Sequence, residues 1–340
     1  MSKQGSPVAS LAVVVIGRNE GARLTGCLNS LNALKQAFEG FEVIYVDSNS
    51  SDDSITRARS DGARVLVLPP GPTTAARGRN LGWRASHATF VLFLDGDTVL
   101  HPSFVAAALE QFQDPQTAVV WGHRRELAPR ASVYNRVLDL DWIYAPGVSQ
   151  FCGGDALMRR DVLLEIGGYD ETLIAGEEPE MCHRMTSLGY RIMHIDCPMT
   201  EHDLAITSFH QYWKRAMRAG FAYASVSERL RGSKSPLWRS ETRRNLVQSI
   251  TMLTAPLLAI ILSLVLRSFL PVAVMTFCVL LLILRTARRC SWKCPGDQLT
   301  AFLYAVHSHL QQIPILFGQL KFYRERHGEH QLIEYKEVTR

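Results

Sequence analysis

FVLFLDGDTVL, Phe90 to Leu100, is an apolar run that ends in two aspartates with a single glycine between them. Five consecutive apolar residues of aromatic and branched type read as a strand buried on both faces, and such strands belong to parallel sheets covered by helices. Two like charges at the end of a buried strand need a reason. Asp and Gly are good turn formers, so a plain turn is one reading. A divalent cation held between the carboxylates is the other.

Working outward, LAVVVI (Leu11–Ile16), FEVIYV (Phe41–Val46), RVLVL (Arg64–Leu68) and AVVW (Ala118–Trp121) repeat the strand pattern. Helical stretches lie between them. Leu24, Leu28, Leu31 and Leu34 recur at helical spacing, and Ser50 or Ser51 is placed to cap a helix through Ile55 to about Ser60. The alternation predicts an α/β fold with a mostly parallel sheet. Ligands of such sheets bind beyond the carboxyl ends of the strands. GRNEG (Gly17–Gly21), DSNSSDD (Asp47–Asp53) and DGD (Asp95–Asp97) should therefore converge on one acidic, glycine-bearing edge. A Rossmann dinucleotide site would need G-x-G-x-x-G after the first strand, and only Gly17 and Gly21 stand there.

The chain has 340 residues, enough for one large domain or two, with 47% apolar residues and a formal charge of +5. Seven scattered cysteines fit reduced thiols better than a disulfide framework, and Cys290 with Cys294 lacks a second pair for zinc. MSKQGSPVAS is polar and LAVVVI is too short for a signal core, so everything before residue 246 is expected to stay cytoplasmic. Between Leu246 and Leu284 only Arg267 is charged. Leu246–Leu266 is long enough to cross a bilayer as a helix, whereas Phe269–Leu284 is shorter than the usual span of about 20 residues. A buried helical hairpin is the soluble alternative; the scarcity of polar residues favours insertion. Arg239, Arg243 and Arg244 before the pair, and Arg285, Arg288, Arg289 and Lys293 after it, place both outer ends in the cytoplasm. Basic residues gathered there favour anionic lipid over nucleic acid as a partner.

Further on, GGDALMRRDVLLEIGGYDE and AGEEPEMCHRMTSLGY each read as a loop leading into a short helix. Pro179 suits a first helical position, with Glu178 at or near the cap and Glu180 in the first turn. Phe209, Tyr212, Trp213, Ala216, Met217, Gly220, Phe221 and Ala224 form a stripe with Lys214, Arg215 and Arg218 away from it. That helix either packs on a core or lies at a membrane surface, and its nearness to the hairpin favours the surface. A second stripe, Leu299, Phe302, Leu303, Val306, Leu310, Ile313, Phe317 and Leu320, carries His307, His309, Gln311 and Gln312 on its other face and suits lying in the interface.

Six motifs in order carry a family resemblance: VVVIGRNEG, VIYVDSNSSDDS, ARGRNLG, FLDGDT and the two loop–helix segments just quoted. Together, across about Ala9 to Arg231, they resemble the membrane-associated inverting glycosyltransferases of family 2. The resemblance implies the GT-A nucleotide-diphosphosugar-binding fold over residues 1–235, then a membrane region over 236–340. That region would comprise a hairpin at about 246–284, an interfacial helix at about 299–321 and a cytoplasmic tail. It implies Mg²⁺ or Mn²⁺, with Asp97 a direct ligand and Asp95 nearer the ribose or a metal-bound water. The ion would neutralise the departing diphosphate as a Lewis acid. Repulsion between the two carboxylates would be relieved only by that ion, which predicts a cation-seeking pocket without it.

The same resemblance places Asp47 at the base or ribose, with an Asx turn as the bland alternative. The commoner family pattern has a second aspartate where this chain has Ser48. Arg79 is implied beside the nucleotide, Arg77 as a second candidate, and Arg18 and Glu20 on the first loop at the same edge. Glu178 falls at the general-base position after Glu177, where the family usually has Glu-Asp. Gly153, Gly154 and Asp155 match the acceptor-side loop. His202 is either a nitrogen ligand or diphosphate contact, or a structural histidine. Processive members carry Q-x-x-R-W; HQYWKR has the ingredients in another order, so a single transfer is expected, with Trp213 and Arg215 near a lipid diphosphate. The implied activity moves one sugar from a nucleotide-diphosphate sugar donor to a lipid-linked or other membrane acceptor. The setting is the cytoplasmic face of a bacterial-type inner membrane, with no nucleic acid partner. A sugar-phosphate nucleotidyltransferase and a non-catalytic membrane scaffold are the alternatives.

Overall fold

The computed structural model describes residues 10–38, 41–326 and 328; the polar stretch before Ser10 and the expected cytoplasmic tail lie outside them. In chain order the elements begin β1 (Leu11–Gly17), α1 (Ala22–Ser30), α2 (Asn32–Ala37), β2 (Glu42–Asp47), α3 (Ser54–Ser60), β3 (Arg64–Val67) and α4 (Ala75–Arg84). They continue β4 (Phe90–Asp95), β5 (Thr98–Leu100), α5 (Phe104–Gln111), β6 (Thr117–Glu126), α6 (Val133–Asp139), β7 (Gly147–Ser149) and β8 (Ala156–Arg159). The remainder is α7 (Arg160–Ile166), α8 (Glu177–Ser187), β9 (Arg191–His202), α9 (Phe209–Arg229), α10 (Arg239–Val265), α11 (Leu270–Cys290), α12 (Gln298–Leu310) and α13 (Gln312–Glu325).

These elements form two compact units. Among the described residues, one contains the chain up to Leu127 and Tyr144–Leu204; the other contains Ala128–Ile143 and the residues from Ala205 on. The compact boundary thus falls some thirty residues before the expected one at 235, because α9 packs with the later helices.

The first unit is built on one sheet of order β3-β2-β1-β4-β8-β6-β9-β5, with β7 also on β9. The four leading strands are parallel. Beyond them β8 runs antiparallel to both β4 and β6, and β9 is parallel to β6 but antiparallel to β5 and β7. The expectation of a mostly parallel sheet holds for that leading half only. Ala156, Leu157 and Met158 of β8 are as buried as any parallel strand, so apolar continuity does not report direction.

Register sets the site. Gly17 pairs with Asp47 across β1 and β2, and Ile16 pairs with Asp95 across β1 and β4, so the three loops read from sequence leave the sheet at the same edge. Glycine lets α4 lie close over the strands: a Cβ at Gly78 would sit 3.3 Å from the Ile16 side chain. Two local expectations differ. The leucine pattern of residues 24–34 breaks at Leu31 into α1 and α2. Ser50 and Ser51 do not cap α3, whose N-cap is Asp53; both serines instead bind Asp47 or Asn19 in the loop before it.

In the second unit, α10 and α11 are long and apolar enough to cross a membrane by length and composition. The second is longer than the sequence suggested, because Arg285–Arg289 continue the helix past the apolar run. A turn at Leu266–Phe269 joins them, with Arg267 at a φ of 48°. The stripe on α9 is taken up by packing: Tyr212, Ala216, Gly220, Phe221 and Ala224 are buried, and α9 lies against α13. This contact explains the stripe without a membrane surface. A Cβ at Gly220 would fall inside the carbonyl of Ile315, and one at Gly318 inside that of Met217, so the two helices cross backbone to backbone.

The second stripe is split between α12 and α13. Pro314 lacks the N–H that would reach Leu310, and the helix breaks there. Leu299, Phe302, Leu310, Phe317 and Leu320 remain exposed. Of the polar face, His307 and Gln312 are inside, while His309 and Gln311 are half-buried. His307 is buried, with Nδ1 2.8 Å from the Tyr212 hydroxyl and Nε2 3.3 Å from Asp141 Oδ2, and Tyr304 donates to Asp141 Oδ1 at 3.0 Å. Arg215 lies over the Trp142 ring, and Trp213 packs on Phe209 and Phe317.

Candidate active site

The end of β4 delivers Asp95 and, after Gly96, Asp97. Gly96 donates to Ile16 O at 2.8 Å, and a Cβ there would crowd Glu20 Cγ at 3.0 Å and Ile16 O at 3.2 Å, so glycine eases the close approach of β1 to the two aspartates. The short strand β5 turns back and pairs with the end of β9, Thr98 opposite His202. That pairing, hidden in a sequence where His202 stands a hundred residues away, brings His202 Nε2 to 3.3 Å from Asp97 Oδ1. One ligand atom each from Asp95, Asp97 and His202 lie within 4.8 Å of one another. Two carboxylate oxygens and an imidazole nitrogen are a donor set that suits Mn²⁺, and Mg²⁺ with added water. The plain-turn reading of D-G-D does not account for the histidine.

The acid pair is not left to an ion for relief. Asp95 faces two guanidiniums, Arg79 Nη2 at 3.0 Å and Arg124 Nη2 at 3.5 Å, while Asp97 faces His202. The expectation that only a cation relieves the repulsion is therefore corrected at Asp95, to which this chain supplies two positive partners of its own. Arg124, on β6, is the residue the sequence reading missed. Its Nε also lies 3.6 Å from Asp155 Oδ2. The strand signal was followed only to Trp121, although the charged HRRE tail, residues 123–126, continues β6 beside β9 toward the functional edge.

Asp155 is a strut. Its Oδ1 accepts the backbone N–H of Asp95 at 3.0 Å and its Oδ2 accepts the Thr200 hydroxyl at 2.8 Å, tying the end of β4 to β9. At Gly154 a Cβ would come 2.5 Å from Arg79 Nη2 and 3.1 Å from an Asp95 oxygen, so glycine there makes room for the Arg79–Asp95 pair.

Asp47 is fully buried. It accepts from Tyr45 Oη at 3.1 Å, Ser50 N at 2.8 Å and Ser50 Oγ at 2.5 Å, which is the turn alternative realised in full. Ser48 donates its N–H to Gly17 O at 2.9 Å. The first loop is stitched to this turn: Asn19 Oδ1 accepts Ser51 N at 2.7 Å, and Ser54 Oγ accepts both Glu20 N and Gly21 N at 3.1 Å. Arg18 is exposed on that loop, and Glu20 pairs with Arg23 at 3.0 Å. Arg77 spends its guanidinium on the carbonyls of Pro69, Pro70 and Pro72, holding the proline loop before α4.

Helix α8 begins two residues before the expected start. Gly176, at a φ of 85°, is its N-cap, so Glu177, Glu178 and Glu180 all lie in the first turn and Pro179 in third place. Carboxylates there are favoured by the helix dipole. Arg79 reaches them: Nη1 is 3.0 Å from Glu177 Oε1 and 2.9 Å from Glu178 Oε1. Glu177 is 5% exposed and Glu178 16%, so Glu178 is the more open of the two. Burial first, then the Glu177 carboxylate, push the Glu178 carboxyl up to about 7, against the pull of Arg79. A carboxylate near neutrality is suited to take a proton. Behind it Cys152 and Cys182 stand as free thiols with sulfurs 3.6 Å apart, and all seven cysteines are unbridged, as expected of reduced thiols.

An acidic set for a divalent cation and a carboxylate near neutrality, joined through one arginine at the mouth of this sheet, coincide with a sequence match. Residues 12–167 match the family described as Glycosyl transferase family 2, and residues 90–287 match Glycosyl transferase family group 2. The chain belongs to the family 2 glycosyltransferases. Among curated relatives of this glycosyltransferase is the pre-mycofactocin glycosyltransferase of Mycobacterium tuberculosis, 29% identical over 208 residues. The match covers 57% of this chain and 42% of the relative. The O-antigen chain rhamnosyltransferase WbaN of Salmonella anatum is 26% identical over 175 residues, which are 47% of this chain and 56% of that one. The chain thus spans about half the length of these relatives. Among solved structures, the mannosyltransferase PcManGT of Pyrobaculum calidifontis, in complex with GDP-Man and Mn²⁺, superposes with a TM-score of 0.64 at 18% identity. That alignment covers 93% of this chain and 91% of the neighbour, and it shows that the GT-A fold is shared.

Proposed function

We propose that this glycosyltransferase moves a single sugar, with inversion, from a nucleotide-diphosphate sugar to a membrane-linked acceptor in surface polysaccharide or glycolipid assembly. The observation that carries the reading is the pairing of a cation-binding set, Asp95, Asp97 and His202, with a near-neutral carboxylate, Glu178, on the far side of Arg79. When bound, Mn²⁺ or Mg²⁺ would neutralise charge on the departing diphosphate. Asp95, Asp97 and His202 would hold it. Arg124 adds positive charge beside Asp95 where the diphosphate arrives. Glu178 takes the acceptor hydroxyl's proton as that oxygen attacks the anomeric carbon opposite the leaving group. The PcManGT complex with GDP-Man and Mn²⁺ supports a nucleotide-sugar donor of this kind. A nucleotidyltransferase finds no support in the family assignment.

The membrane setting rests on the helical unit. α10 and α11 expose nearly all their apolar side chains, α12 and α13 expose a further apolar stripe, and the basic flanks put both ends of the hairpin on the cytoplasmic side, facing anionic lipid. The test is a panel of nucleotide sugars with Mn²⁺ or Mg²⁺ on the full chain in lipid nanodiscs, read as nucleotide release and as anomeric configuration of the product. Metal-independent turnover, or a product that retains the donor's configuration, overturns the mechanism.

A further inference from the structure

We infer that Arg79 is a positioning residue for the proton acceptor, clamping Glu178 at the start of α8 and Asp95 at the end of β4 on the two prongs of one planar fork, and is not a donor-binding cation. The inference rests on the reading of Glu178 as the base. Nη2 takes Asp95 at 3.0 Å, and Nη1 takes Glu177 at 3.0 Å and Glu178 at 2.9 Å. The side chain is 3% exposed, with its guanidinium carbon 5.6 Å from the Tyr169 ring centre and Gly154 shaped to its outer edge. A guanidinium so enclosed has both prongs committed to carboxylates before a nucleotide arrives. A lysine carries the charge but cannot span both groups. Two consequences follow from the geometry: the clamp fixes the distance from cation set to base, and it opposes the burial and the Glu177 charge that favour protonated Glu178.

The experiment uses the full chain in nanodiscs with Mn²⁺, reading nucleotide release from UDP-glucose or GDP-mannose across about pH 5 to 9. Binding of UDP and GDP with Mn²⁺ is measured by calorimetry alongside. Arg79→Gln should lower kcat on the order of 10²-fold, move the acidic limb of the pH profile upward by about one unit or more, and leave nucleotide affinity within about threefold. Arg79→Lys should return the limb toward the wild-type position while recovering only part of kcat. In a Glu178→Gln background, Arg79→Gln should cost nothing further, since both changes remove one function. Weakened nucleotide binding with kcat intact would make Arg79 a donor-binding residue, and an equal loss at every pH with the limb unmoved would make it merely structural. If Arg79→Gln does not fold, Arg79→Lys decides alone: reduced kcat with unchanged nucleotide affinity supports the clamp, and the reverse overturns it. Glu178→Gln by itself reads the underlying assignment, because wild-type turnover in that variant removes the base whatever Arg79 does.

Discussion

The sheet unit and the helical unit treat apolar and polar groups in opposite ways. In the sheet unit β1, β2 and β4 are buried along nearly their whole length, and charge gathers where the strands end. In the helical unit α10 buries Asn245 and Ser249 while Leu264 and Val265 stand outside, and α11 buries nothing. Ser249 donates to the Gln312 carbonyl at 2.6 Å, and His307 and Gln319 are buried too. The first arrangement suits water as its outer medium. The second suits hydrocarbon, where small and polar residues bring helices together and leucines face lipid.

Substitutions sharpen or break that contrast. Asp97→Ala should reduce turnover on the order of 10³-fold or more and abolish Mn²⁺-dependent nucleotide binding in calorimetry, since it removes a buried carboxylate proposed to hold the cation. Glu178→Gln should cost kcat between about 10² and 10⁴-fold while calorimetric nucleotide binding stays as it was. In the other unit, Leu281→Arg places a charge on an exposed face of α11. In a bilayer it should cost about 2.5–3.5 kcal/mol and reduce the fraction resisting alkaline extraction. In water the same change would stay within about 0.5 kcal/mol, and an unchanged fraction would erase the contrast. Gly318→Ala, which sets a methyl against the Met217 carbonyl, should destabilise by about 1–3 kcal/mol in thermal unfolding. Smallest is pH. As the proposed base Glu178 works deprotonated, so turnover should fall about tenfold per unit below about 7 and level off above it. A limb near 4.5 would show that Glu178 is solvated.

The strands and the edge they share were legible because period and composition are local properties; LAVVVI, FEVIYV and FVLFL all lie where the pattern put them. Partners across the sheet were not. His202 reaches Asp97 only through the β5–β9 pairing, and Arg124 reaches Asp95 from a strand whose charged tail gave no apolar signal. Arg79 could be picked as a site cation by its type and motif, but its three carboxylate partners come from two distant segments. The start of α8 was misplaced because Pro179 tolerates any of the first few helical positions, whose N–H groups lack intrahelical acceptors, and Gly176 is the cap that fixes it. In the helical unit the stripe of residues 299–320 had the right composition, but its polar side turned inward to meet Asp141 and Tyr212, a choice set by neighbours far along the chain.

The crossing of α9 and α13 also governs the order of assembly. Gly220 lies against the Ile315 backbone and Gly318 against that of Met217, yet the ribosome releases α13 only after both long apolar helices have emerged. Until then the small-residue face of α9 waits without its mate, and the crossing closes only when α13 is synthesised.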